Sequence, residues 1–191
     1  MRIAAAFAAI VVTGAACGAQ VTTSTPTPIR TAPVIRTAAP TPLCQAAPDQ
    51  PSTKATITLD KGGTIVIQLR PDKAPKTVSN FAFRANKGLY DGLTFHRVVA
   101  NFVIQGGDPK GDGTGGNTQC TELSDLSFVK GAVGIARGND ITISNDFQFF
   151  ICIGECKFLD KMYTNFGLVI SGQDVADAVK IGDKIKTIRV E

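Results

Sequence analysis

From residue 55 onward the chain alternates apolar and polar positions with a period of two. Ile57 and Leu59 within 55–60, then Ile65, Ile67 and Leu69 within 64–70, fall on one face of two successive strands. Lys61-Gly62-Gly63 between them supplies a glycine-containing hairpin turn. After Pro71 the period lengthens. Val78, Phe81, Ala82 and Ala85 recur at helical spacing, Pro75 stands near the start, and Gly88 follows the end. Strands are then expected over 94–99, 102–105, 132–136, 148–153, 166–170 and 184–190. A second helix over 174–180 places Val175, Ala178 and Val179 on one side and stops before Gly182. About eight short strands and two helices within 53–191 predict a mainly β domain. The expected form is an eight-stranded closed antiparallel β-barrel capped by the two α-helices.

Two other patterns precede this domain. Residues 1–17 carry Arg2, an apolar run through Val12, and then small residues ending in Ala15-Ala16-Cys17. That is the order of a secretory signal peptide, too short to span a bilayer as a stable helix. Cys17 after two alanines resembles the acylated cysteine of bacterial lipoproteins, although Gly14 stands where that motif usually has a large aliphatic residue. The expectation is an exported chain, either a cell-envelope lipoprotein on the outer face of the cytoplasmic membrane or secreted. Contact with the membrane is then limited to the N-terminal lipid. Residues 18–52 hold seven of the ten prolines, interleaved with Thr and Ala. They cannot build a core and read as a disordered tether of polyproline character.

Charge narrows the function. Net charge is +4, of which Arg2, Arg30 and Arg36 against Asp49 contribute +2 before residue 51. The rest of the chain is nearly neutral, which argues against nucleic acid as a partner. The single histidine, His96, excludes sites built from two or more His ligands, and no metal or cofactor is expected. With Cys17 acylated, Cys44, Cys120, Cys152 and Cys156 remain, an even number that allows three disulfide connectivities. Cys44–Cys120 with Cys152–Cys156 is the favoured one.

The densest unusual stretch is 95–116. It opens Phe95-His96-Arg97, continues Phe102-Val103-Ile104-Gln105-Gly106-Gly107-Asp108, and ends in a run containing Gly111, Gly113, Gly115 and Gly116. No Lys-Ser or Lys-Thr follows its glycines, the dinucleotide spacing is missing, and Asp108 and Asp112 lack the other ligands of an EF-hand. Arg97, Phe102 and Gln105 fall on neighbouring strands. An Arg and a Gln beside a Phe belong on the outside of a small barrel filled by aliphatics. Spacing alone does not separate that arrangement from a solvated wall. His96 alternates away from Arg97 and is expected to be structural, facing the barrel side.

The stretch closely resembles the signature of the cyclophilins, the peptidyl-prolyl cis-trans isomerases. Further matches are Gln148-Phe149-Phe150-Ile151, Phe158-Leu159-Asp160, and Phe166-Gly167-Leu168-Val169 followed by Gly172, so the likeness runs through essentially all of 53–191. The resemblance implies that Arg97 is the catalytic arginine and that Gln105 binds substrate and orients it. It implies a proline pocket of Phe102, Val103, Phe150 and Leu159, and a backbone groove at Ala136, Arg137 and Gln148. Gly113 matches a rim glycine, and Phe158 a rim position that is Trp in some members. Val103 replaces the more usual Met, Arg137 an Asn, and Tyr163 a His. The stretch 139–147 replaces a Gly/Asn/Ser-rich loop, so peptide preference is where this chain is expected to differ.

The implied partners are proline-containing peptides and unfolded exported proteins, and a cyclosporin-type ligand by the same resemblance. A monomer is expected. Such a site needs no nucleophile, because a guanidinium that favours the twisted X–Pro amide over the planar one accelerates rotation by differential binding. Two other readings stay open. One is a proline-peptide binding or chaperone module at the cell envelope without turnover. The other is a structural envelope protein with a decayed site.

Overall fold

The computed structural model describes residues 53–191. The expected signal segment 1–17 with Cys17, and the proline-rich segment 18–52 with Cys44, lie outside the described residues.

Two strands, β1 (Lys54–Leu59) and β2 (Thr64–Leu69), form the expected hairpin, and α1 (Pro75–Asn86) follows. Next come β3 (Phe95–Val99), β4 (Val103–Gly106), β5 (Thr118–Cys120), β6 (Ala132–Ile135), β7 (Ile143–Asn145) and β8 (Phe149–Cys152). A 3₁₀ turn at Lys157–Leu159, β9 (Asn165–Ser171), α2 (Gln173–Asp177) and β10 (Ile185–Val190) complete the domain. Eight strands make one antiparallel sheet in the order β10-β1-β2-β9-β6-β8-β4-β3, and β5 pairs with β7 in a separate two-stranded ribbon.

The order does not return to its start. The sheet is an open, curled half-barrel and not the closed barrel expected from the strand count. Its two edges, β3 and β10, meet at a single bridge between Thr94 and Lys184. Beside it, Phe95 N–H donates to the Asp183 carbonyl and Gly182 N–H to the Phe95 carbonyl, each at 2.9 Å. Past Phe95 the β3–β4 register slips by one residue, so that Phe95 faces Gly106 while Arg97 faces Gln105. A bulge of this kind bends its strand and raises the local twist, which carries β3 away from β10.

The inner face gathers the alternating aliphatics. Ile57, Leu59, Ile65, Ile67, Leu69, Ile104, Ile151 and Ile188 are all essentially inaccessible to solvent. Helix α1 closes the open mouth, its Phe81 ring lying 5.2–5.6 Å from those of Tyr90, Phe149 and Phe166. The first turn of α1 has no side-chain cap from Ala74. Instead the Glu122 carboxylate accepts the N–H groups of Lys76 (3.1 Å) and Thr77 (2.7 Å), placing negative charge at the positive end of the helix.

The second helix is shorter than the 174–180 expected. The Asp183 carboxylate accepts the Lys180 N–H at 2.7 Å and pairs with Lys61, so the segment turns early to reach the Thr94–Lys184 bridge. Val179 remains buried.

Candidate active site

A second apolar cluster lies on the opposite face of the same sheet. Val103, Phe128, Ala132, Phe150, Cys152, Cys156 and Leu159 form it, with Phe102 and Tyr163 packed at its border. Strand alternation explains its origin. On β4, Ile104 points into the main core while Val103 and Gln105 point out; on β8, Phe149 and Ile151 point in while Phe150 and Cys152 point out.

Arg97 reaches this outer face only through the bulge. Strict alternation would put it on the same side as Phe95, which is fully buried. The extra residue, His96, resets the phase, so Arg97 is exposed and stands directly across from Gln105. His96 is half-buried, and its ring lies about 4 Å from where a side chain on Gly113 would begin.

Arg97 is held by a directed chain of amides. Its Nη1 donates to Gln105 Oε1 at 3.3 Å, and Gln105 Nε2 donates to Gln148 Oε1 at 3.0 Å. Gln148 Nε2 in turn donates to the carbonyls of Gly115 (2.8 Å) and Gly113 (3.1 Å). Two fixed carbonyls therefore decide which way both glutamine amides face, and the last one turns its oxygen to the guanidinium. Gln148 is itself buried, as a side chain with every polar atom engaged can be.

Nine of the residues expected from the sequence line one cleft of about 230 Å³. They are Arg97, Phe102, Val103, Gln105, Ala136, Arg137, Phe150, Leu159 and Tyr163. An adjoining cleft of about 370 Å³ shares Gln105, Ala136 and Arg137 and adds Gly113, Gln148 and the β5–β7 ribbon. Phe158 does not line either cleft. It stands 63% exposed at the rim, stacked on Phe102 with ring centres 5.2 Å apart. Arg97 lies 5.9 Å from the Phe102 ring centre, so the guanidinium overhangs the apolar wall.

Arg137 and Tyr163, two positions at which the sequence departs from the resemblance, pack on each other. The Arg137 guanidinium lies 4.3 Å over the Tyr163 ring, and its Nε donates to the Met162 carbonyl at 2.7 Å. The replaced stretch 139–147 carries strand β7, which sequence alternation did not reveal because only three residues pair.

The cysteines divide as favoured for one pair. Cys152 and Cys156 form a disulfide with Cα atoms 6.3 Å apart, inside the outer-face cluster. It ties β8, which supplies Phe150, to the turn that supplies Phe158 and Leu159. Cys120 is also disulfide-bonded. Its favoured partner Cys44 lies outside the described residues.

Several supporting residues escaped the sequence reading. Gly134 is one, since a side chain there would start 2.3 Å from Phe150 and 2.7 Å from Phe128. Its bare backbone is the floor on which those two rings stack, centres 5.6 Å apart. Asn145 is another. Its Oδ1 accepts the N–H groups of Phe147 (2.8 Å) and Gln148 (2.7 Å) while its Nδ2 donates to the Gly115 carbonyl (3.0 Å). Asn145 thereby locks both ends of the Gln148 contact, and an Asn whose side-chain oxygen can accept the N–H two residues on was the available signal. Asp108, buried in the glycine run, accepts the N–H groups of Lys110 (3.1 Å) and Gly113 (2.6 Å). Gly113 itself sits at φ +88°, a conformation that glycine adopts freely.

Asp160 braces the other wall by accepting the Phe128 N–H (2.6 Å) and the Ser127 hydroxyl (2.7 Å). The first of these bonds, then the second, holds its carboxyl below the usual carboxylate range.

The first cleft contains no carboxylate, thiol or serine, and among the described residues no group of three or more His, Cys, Asp or Glu could hold a metal ion. The arrangement can seat one small apolar group and present a fixed cationic donor beside it. Its volume is below that of a drug-sized ligand site.

The domain also matches known proteins. Residues 54–190 fit the family described as cyclophilin type peptidyl-prolyl cis-trans isomerase, and the chain belongs to that family. The peptidyl-prolyl cis-trans isomerase B of Bacillus subtilis is 43% identical over 137 residues, covering 70% of this chain and 94% of its own. A probable peptidyl-prolyl cis-trans isomerase of Brucella suis is 38% identical over 138 residues, covering 65% of this chain and 70% of its own. The crystal structure of a Cryptosporidium parvum cyclophilin, solved in the presence of the dipeptide Ala-Pro, matches with a TM-score of 0.67 at 26% identity. It covers 72% of this chain and 98% of that one. The activity of the domain is peptidyl-prolyl cis-trans isomerisation.

Proposed function

We propose that the domain performs this isomerisation with Arg97 as the catalytic group and Gln105 as the residue that positions it. The proline ring occupies the pocket of Phe102, Val103, Phe150 and Leu159. The preceding peptide runs along Ala136, Arg137 and Gln148, past Gly113, with Phe158 and Tyr163 flanking it. The reading is carried by the amide chain that fixes Arg97 over the Phe102 wall of the cleft.

The chemistry needs only binding. Rotation about an X–Pro bond faces a barrier of ~18–20 kcal/mol because the nitrogen lone pair is conjugated with the carbonyl. In the twisted transition state nitrogen turns pyramidal and regains that lone pair. Arg97 then donates a hydrogen bond that the planar amide cannot accept, which is stabilisation confined to the transition state. The apolar pocket holds the ring still and excludes water that would favour the planar form. A rate gain of five powers of ten requires about 7 kcal/mol, within reach of a few such contacts.

The substrates are X–Pro bonds of exported proteins, and the chain is tethered to the outer face of the cytoplasmic membrane through acylated Cys17. The support is the order of residues 1–17 and the proline-rich 18–52. No helix among the described residues is long and apolar enough to cross a membrane.

The test is the cis-to-trans relaxation of a short Ala–Pro peptide with the protein and with Arg97→Ala. Acceleration that disappears in the variant, while peptide binding is partly kept, is the expected result. Binding without acceleration in the unaltered protein would instead make this a proline-peptide binding module, with the 139–147 stretch as the cause. Mass spectrometry of the membrane-bound chain checks for the lipid on Cys17.

A further inference from the structure

The cleft adjoining the proline pocket is lined by neighbours of a disulfide-bonded cysteine. Cys120 ends β5 and stands opposite Ile143 of β7. Ile143 lines the second cleft, as do Thr118, Ser144 and Asn145. Cys120 is disulfide-bonded, and Cys152 and Cys156 take each other. Of the five cysteines, only Cys17 and Cys44 are left as partners, and with Cys17 acylated as proposed above the partner is Cys44, which lies outside the described residues. On that reading the bond to Cys44 would carry a particular sequence to the second cleft. Around that cysteine the chain reads Ala38-Ala39-Pro40-Thr41-Pro42-Leu43-Cys44-Gln45-Ala46-Ala47-Pro48. Three X–Pro bonds thus fall within about four residues of the anchor, roughly 13–14 Å of extended chain.

We infer that the segment 38–48 is an internal ligand and substrate of the proline cleft, competing with outside peptides until a better one displaces it. This rests on the reading of the cleft given above. The segment carries no charged side chain, which suits an apolar pocket beside a single cation. Two of its three bonds are Ala–Pro, the dipeptide used with the related Cryptosporidium protein. A ligand tethered this closely is present at an effective concentration on the order of millimolar. Weak proline peptides therefore meet a cleft that is partly filled, while a client that binds tightly does not. The same anchoring lets the cleft interconvert the segment's own cis and trans forms, which exchange over tens to hundreds of seconds when uncatalysed.

The test uses the full oxidised chain and two readouts. Replacing the three prolines together, Pro40→Ala with Pro42→Ala and Pro48→Ala, is expected to raise kcat/KM for a short outside Ala–Pro peptide by about two- to tenfold, mainly through KM. Unchanged kinetics would overturn the inference. In the second readout, cis–trans exchange at Pro40 and Pro48 is followed by NMR in chain labelled at proline. Exchange in under a second that is independent of protein concentration, and slow in Arg97→Ala, is expected. Exchange equally slow in both proteins, or rising in proportion to concentration, would overturn it. Failure of Arg97→Ala to affect the outside peptide would count against the catalytic assignment instead, so the two failures are distinguishable.

Discussion

The two faces of the one sheet are built by different rules. Inside, Ile57, Ile65, Ile67, Ile104 and Ile151 follow from alternation, and any one of them is supported by neighbours of the same kind. Outside, the apolar cluster is small and depends on single devices: a bulge at His96, a bare backbone at Gly134, one disulfide and one braced carboxylate. The inner face makes the domain fold, and the outer face carries the proposed active site. Stability and activity should therefore be separable by choosing the face to damage.

A crossed pair of substitutions gives the largest effects. Ile57→Ala, on β1, should lower unfolding stability by about 2–5 kcal/mol in denaturant titration while leaving turnover per folded molecule unchanged. Arg97→Ala should do the reverse, cutting kcat/KM by about 10²–10³-fold in a peptide relaxation assay with the same melting midpoint. If either variant moved both quantities together, the separation of faces would be wrong.

Gly134→Ala breaks the separation on purpose. A methyl group starting 2.3 Å from Phe150 must push that ring into the pocket. Overpacking of this sort costs about 1–3 kcal/mol, and here KM should rise as well because the displaced ring is a pocket wall. Cys152→Ala with Cys156→Ala opens a very short loop, so the chain-entropy account predicts a loss of about 2 kcal/mol. Peptide affinity should weaken several-fold in titration, since Leu159 is no longer tied to the Phe150 strand.

The smallest effect concerns pH. The folded-state pKa of Asp160 is lowered, so its stabilising contribution is complete above the unfolded carboxylate value of about 3.9. That contribution disappears as pH falls below it toward the folded value. Acid titration of Asp160→Asn should show a shallower loss of stability in that window and the same slope above it.

What could be read from the sequence follows the same division. The inner-face strands and α1 were legible because each repeats a period over several residues. The three-residue strands β5 and β7 are too short to show one. Closure of the barrel was misread because strand count says nothing about register, and the slip between Phe95 and Arg97 decides where the edge goes. Arg97, Phe102 and Gln105 drew notice as a group, but spacing alone left them as a solvated wall. Resemblance to a family singled them out, and the structure brings them together with Val103, Phe150 and Leu159 in one cleft. Gly134 stayed hidden because its role depends on side chains that approach it from distant parts of the chain, whereas Asn145 left a local turn signal whose use in holding Gln148 only the fold reveals.

The bulge has a consequence for anyone moving this site to another scaffold. Phe95-His96-Arg97 contains a counting instruction as well as three side chains, because two steps along β3 are matched by one step along β4. Grafted onto a regular hairpin, the same three letters would point the arginine wherever they point the phenylalanine. A transplant that copies the letters but not the miscount would place its cation among the packed aliphatics, and the graft would fail by misfolding before any assay of rotation could be run.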